Sequence, residues 1–182
     1  TEHSKGCGVI RLTEGIDVTS TTGHNYALRS VQHDYVRLWA SMPCIGGGPW
    51  NMKNYAEGGP KTRRKIEAHW AEFFKIWHNF VEVAETCLNS HQGNVVCIEW
   101  PTKCAYWGLP MVQNFLQRHG FVQHHSHGCA YGLVGQSQHV GQPILKPWTV
   151  ATTCHTDAKF LSKRCPGHKK HATCAGKETK LT

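Results

Sequence analysis

One stripe of large apolar side chains constrains this chain more than any other feature. Ile66, Trp70, Phe73, Phe74, Trp77, Phe80, Val81, Ala84 and Leu88 recur at three- and four-residue spacing, which gathers them on one broad face of a helix. The spacing predicts a long amphipathic helix over residues 61–89, with Glu67, Glu72 and Lys75 off the apolar face. Such a stripe reads as protein core rather than as a platform for stacking bases. A chain of 182 residues is long enough to build that core within one domain, or one domain with a small appendage.

Other elements follow on either side. Val9-Ile10-Arg11-Leu12 is β-prone and exits through Glu14-Gly15. A helix is expected over 22–31, begun by one of several threonines, and a buried strand over 35–40. The loop that follows holds Cys44 and three consecutive glycines, Gly46, Gly47 and Gly48. Such a run suits a loop that lets something approach its backbone. Gly93 precedes the unbroken apolar run Asn94–Glu99, which has the pattern of a covered parallel strand. Residues 109–119 read as a helix with Pro110 in its first turn and Gly120 closing it. Strands over 129–134 and 146–153 are expected to pair antiparallel, with a short helix over 157–163 after them. This order predicts an α/β fold: a doubly wound, Rossmann-like, mainly parallel sheet with a C-terminal antiparallel hairpin and a Cys/His-rich tail. In such sheets chemistry collects at the carboxyl ends of strands, where Glu14, Cys44 and Glu99 all fall.

No apolar run approaches the roughly 18 residues of a membrane span, and residues 1–7 lack the apolar core of a secretory signal. The chain opens without Met, as an excised piece of a longer protein would. Nine cysteines, an odd number spread through core and loops, read as free thiols with a subset on a metal. Those features predict an intracellular, reducing location, nuclear or cytoplasmic.

The formal net charge is +8, with 14 histidines besides, which suggests a polyanionic partner such as nucleic acid. The cations cluster at Lys61, Arg63, Arg64 and Lys65, and again at Lys159, Lys163, Arg164, Lys169, Lys170, Lys177 and Lys180. The second cluster shares its segment with Cys165, His168, His171 and Cys174, and with Cys154 and His155 upstream. Four ligands in ten residues are too compact for a usual zinc finger. Two or three of them are therefore expected to join Cys154, or another upstream residue such as Cys129 or His127, on one structural zinc. The set Cys154, Cys165, His168, His171 and Cys174 contains no carboxylate to act as a base. The run His124-His125-Ser126-His127 is expected to be mostly exposed. Trp50, Trp100 and Trp107 suit base stacking and core packing equally.

An ordered set of motifs carries a family resemblance. Val9–Glu14 with Asp17-Val18-Thr19, Leu38–Cys44 with its glycine loop and Trp50, and Glu99-Trp100-Pro101 with Trp107 form its first part. His127–Leu133, Lys146-Pro147-Trp148, Ala151-Thr152-Thr153 and Cys165-Pro166-Gly167-His168 complete it. Together they resemble a methyltransferase-like domain found in retroelement polyproteins of dinoflagellates and other protists, whose element order is similar to class I, cytosine-C5 methyltransferases. The resemblance implies a methyltransferase-like domain over 1–153 and a basic, zinc-binding tail over 154–182. By position it matches Cys44 to a nucleophile and Glu99 to the glutamate that hydrogen-bonds the ring. Glu14, helped by Asp17, falls where such enzymes bond a cofactor ribose. The glycine-rich turn that cradles S-adenosylmethionine has no counterpart in this sequence.

Three functions remain open on these grounds. The favoured one is a zinc-stabilised, nucleic-acid-binding domain that is non-catalytic or of unproven activity. The others are an S-adenosylmethionine-dependent nucleic-acid methyltransferase acting through Cys44, and a domesticated structural subunit of a larger assembly. A plain structural role competes with catalysis, in which Cys44 caps a strand and Glu99 pairs with a base.

Overall fold

The computed structural model of the protein describes residues 6–137 and 139–174, leaving out the Glu14 side chain. Its helices are α1 (Thr21–Ser30), α2 (Pro49–Glu57), α3 (Pro60–Ser90), α4 (Pro110–Arg118) and α5 (Ala158–Leu161). Four strands, β1 (Arg37–Ala40), β2 (Val95–Pro101), β3 (Val122–His127) and β4 (Pro147–Thr152), form one sheet in the order β1-β2-β4-β3. β1 and β2 are parallel, and β4 lies antiparallel between β2 and β3. The fold is thus mixed α/β, with three strands running one way and one inserted against them.

The long stripe forms α3 as expected, and Pro60 occupies its first turn, where no intrahelical N–H is needed. Phe73, Trp77, Phe80 and Ala84 are buried, while Phe74, at the edge of the stripe, stays 41% exposed. Phe73 stacks on Tyr106 with ring centroids 3.8 Å apart, and Trp77 packs against Phe80, Trp100 and Phe115. One buried cluster therefore joins α1, α3 and α4 to the sheet face bearing Val96, Ile98, Trp100 and Ala151. Alternation along the strands sends Cys97, Glu99, Val150 and Thr152 to the opposite face. There, Ser162 just after α5 meets His124 of β3 (Oγ to Nδ1, 3.2 Å). Long helices thus cover one face, whereas the doubly wound arrangement expected them on both; on the second face Asp157, Leu161 and Ser162 meet the sheet instead. Arg37 bonds Asp157 and Lys163 pairs with His127, which join the first part of the tail to the sheet, while Ala172 bridges to Ile144 in the connection between β3 and β4.

Three local expectations are corrected. Residues 7–12 form no strand, and Val9 and Ile10 are exposed; β propensity without a neighbouring strand to pair with does not hold an extended run. The segment expected as a strand from Cys129 turns instead through a 3-10 helix, Gly128–Tyr131, that ends in left-handed Gly132 at φ 81. Beside β2, β4 pairs with the histidine-rich β3, which has no apolar alternation to announce it. Finally, α1 is begun by Ser20, whose Oγ accepts the Gly23 N–H at 3.0 Å, rather than by a threonine. Among the described residues no helix is long and apolar enough to cross a membrane.

Candidate functional site

Reactive side chains gather in two places: the loop after β1, and the junction of β3 with the tail. The first is fixed by aromatic donors. Trp100 Nε1 donates to the Met42 carbonyl at 3.0 Å, and Trp70 Nε1 donates to that of Gly46 at 2.7 Å. A Cβ on Gly46 would strike Trp70 and Tyr106, and one on Gly47 would lie 2.9 Å from Cys104 Sγ. The close approach that the glycine run suggested is therefore made by the protein's own Trp70 and Tyr106.

Cys44 and Glu99 are half-buried and near enough for the carboxylate to influence the thiol. Burial pushes the Cys44 thiol up, and the Glu99 charge adds to this against the opposing effect of Lys146. Burial likewise raises the Glu99 carboxyl, opposed by a hydrogen bond from Ser41 and by Lys146. A nucleophilic cysteine needs thiolate character, and this setting works against it. Glu99 lines a hollow of about 260 Å³ with Trp39, Tyr131, Trp148 and Leu161.

Asp17 lines a separate cleft of about 860 Å³ between residues 12–19, the end of β1 and α3. Its carboxylate is already occupied: Thr19 donates to it from the backbone N–H at 2.8 Å and from its hydroxyl at 2.8 and 2.9 Å. Those bonds hold the Asp17 carboxyl below its usual range and shape the turn into α1. The side chain of Glu14, the other expected ribose partner, lies outside the described residues. So does the region holding Lys177 and Lys180.

At the second place Cys129, Cys165, His168 and His171 bring one ligand atom each within 4.8 Å of one another. Cys165 Sγ lies 3.5 Å from His168 Nδ1 and 3.3 Å from His171 Nε2. Tetrahedral zinc with metal–sulfur and metal–nitrogen bonds of about 2.3 and 2.0–2.1 Å requires sulfur–nitrogen separations of about 3.5 Å. The donors thus fit zinc, in a closed four-ligand set suited to structure.

The turn Cys165-Pro166-Gly167-His168 makes this possible. Gly167 adopts φ 101, a conformation that favours glycine. Backbone N–H groups of Gly167, at 3.4 Å, and of His168 donate to Cys165 Sγ and lower its thiol pKa. Burial raises that of Cys129, which also hydrogen-bonds with Cys165.

Of the five expected metal ligands the structure gathers Cys165, His168 and His171; Cys154 and Cys174 are not in the group. The Cys154 sulfur instead meets the Thr156 hydroxyl at 3.2 Å. Cys129 takes the fourth place, a position the sequence offered only as one of several upstream candidates. The expected exposure of the histidine run is corrected too. His124, His125 and His127 are half-buried, and each ring bonds a neighbour: Ser162, Thr149 and the Cys165 amide. Trp100 and Trp107 are core, whereas Trp50 is 77% exposed.

Comparisons with protein-family models, curated proteins and solved structures yield no match for this chain.

Proposed function

We propose that the protein is a zinc-stabilised, non-catalytic, nucleic-acid-binding domain of methyltransferase-like descent, of the kind found in retroelement polyproteins. The observation that carries this reading is the Cys129, Cys165, His168 and His171 group, which sets a basic segment against the turn that follows β3. Lys159, Lys163, Arg164, Lys169 and Lys170 of that segment are exposed. Lys163 sits over the ring of Tyr131 and Lys159 over that of Phe160, at 5.4 and 4.8 Å from the centroids. Fixed cations beside exposed aromatic rings suit a single-stranded polyanion, whose phosphates meet the lysines while its bases stack. Nuclear or cytoplasmic residence and a reducing milieu belong to the same reading, because the thiols that hold the metal must stay reduced.

A second reading is favoured by the proximity of Glu99 to Cys44: an S-adenosylmethionine-dependent nucleic-acid methyltransferase with Cys44 as nucleophile. In that case the cleft beside Asp17 would take the cofactor. The raised Cys44 thiol weighs against it.

Fluorescence anisotropy with labelled single-stranded RNA and DNA, titrated across salt concentrations, tests the choice. Each phosphate contact contributes a slope of about 0.7 in log affinity against log salt for a single strand. Replacing Lys163, Arg164, Lys169 and Lys170 by Ala is expected to reduce the slope by about 3, and Cys44→Ser to leave it unchanged. No salt-dependent binding would sink the nucleic-acid reading and favour a structural subunit of a larger assembly. Methyl transfer lost in Cys44→Ser would establish the second reading.

A further inference from the structure

We propose that His127 is the positioning residue of the metal site, holding the Cys165 turn in register with Cys129 through a ring-to-backbone hydrogen bond. This assignment rests on the metal reading above. His127 ends β3, two residues before Cys129. Its backbone N–H donates to the Lys163 carbonyl at 3.0 Å, and its ring Nδ1 accepts the Cys165 N–H at 3.0 Å. One residue thus grips the tail on both sides of Arg164. Where a strand partner would use a backbone carbonyl for the second bond, this fold uses an imidazole nitrogen.

The bond has two chemical consequences. To accept, Nδ1 must be unprotonated, so a neutral His127 carries its hydrogen on Nε2. The Cys165 N–H is also the first donor of the turn whose next amides, from Gly167 and His168, point at the Cys165 sulfur. Fixing that first amide orients the Cys165 Sγ toward Cys129 and sets where His168 and His171 fall. Outer groups that orient ligands in this way alter metal affinity by about 10–100-fold when removed.

The experiment uses the whole chain and cobalt(II), whose visible bands report tetrahedral thiolate coordination, with zinc competition to obtain affinities. His127→Asn keeps an acceptor near the Nδ1 position, His127→Gln carries one near Nε2, and His127→Leu has none. The Asn variant is expected to bind within a few-fold of the unmodified chain with the same bands. The Gln and Leu variants are expected to lose about 10–100-fold with altered bands. Asn and Gln are matched in polarity, so a general folding defect would strike both. Equal losses in Asn and Leu, or undiminished affinity in Gln and Leu, would overturn the assignment. Absence of cobalt binding by the unmodified chain, indistinguishable from Cys165→Ser, would overturn the metal reading and the assignment with it.

Discussion

Arg37 and Asp157, 120 residues apart in sequence, form a two-pronged ion pair, with Nη1 to Oδ2 at 2.5 Å and Nη2 to Oδ1 at 3.4 Å. The pair ties the root of the tail to β1, the edge strand on the side of the sheet away from β3. Burial alone would raise the Asp157 carboxyl, but Arg37, Cys154 and Thr152 together hold it below its usual range. A depressed carboxyl contributes stability that is complete above its unfolded value, about 3.9, and is lost as pH falls through the lower folded value. Arg37 is 45% exposed, so solvent screening limits the pair to about 1 kcal/mol. Denaturant unfolding of Asp157→Asn is expected to show that deficit at neutral pH. The difference should shrink below about pH 4; a deficit unchanged at pH 2 would mean that the charge is not its source.

Trp77 offers the sharpest test of the core. It is 2% exposed and packs against rings from α3, β2 and α4. Trp77→Ala is expected to cost about 3–5 kcal/mol. Phe74→Ala, three residues away on the rim, should cost about 1 kcal/mol or less, since that ring is 41% exposed. Similar losses for both would contradict the division of the stripe into core and rim.

Legibility followed local physics. The α3 stripe, the apolar β2 run and Pro110 at the start of α4 each carry their signal within a few residues, and each element formed near its expected bounds. β3 did not, because His124, His125 and His127 have no apolar alternation; the bonds that make them a strand come from β4 and the tail. The metal group divided in the same way. Cys165, His168 and His171 are close in sequence and were legible, whereas Cys129 joins them only because β3 delivers it there. The sequence placed Cys44 and Glu99 only near the ends of separate strands; the burial that raises both groups arises from packing.

The glycine loop gives an independent test of what it approaches. A Cβ on Gly46 would meet Trp70 and Tyr106, whereas Gly108 has nothing within 4 Å of that position. Gly46→Ala is expected to cost about 1–3 kcal/mol from overpacking. Gly108→Ala should change stability by about 0.5 kcal/mol or less. A neutral Gly46→Ala would mean that Trp70 and Tyr106 yield readily, leaving the loop free for an external ligand.

If the Cys129, Cys165, His168 and His171 group holds zinc, chelation is expected to loosen the tail. A ligand held at about 100 times its dissociation constant contributes about 2.7 kcal/mol, which for a chain of this size corresponds to a Tm change of about 5–10 °C. Thermal scans before and after chelation are expected to show a loss of that order, restored by added zinc and absent in Cys165→Ser. An unchanged Tm would mean that the Arg37, His124, His127 and Ile144 contacts hold the tail without a metal.

Alkylation rates separate the two candidate sites within one sample. Backbone amides lower the Cys165 thiol, while burial raises Cys44, Cys87 and Cys104, the last two to about 11 and about 12. The thiolate is the reacting species, so in the chelated chain at neutral pH iodoacetamide should label Cys165 well before those three. Zinc should then protect Cys165 selectively, because its sulfur becomes a ligand, and leave the slow labelling of Cys44 unchanged. Peptide mass spectrometry over time reads both effects together. Rapid labelling of Cys44 at neutral pH would instead reveal an activated thiol and favour a function at the loop beside Glu99 over one at the Cys/His group of the tail.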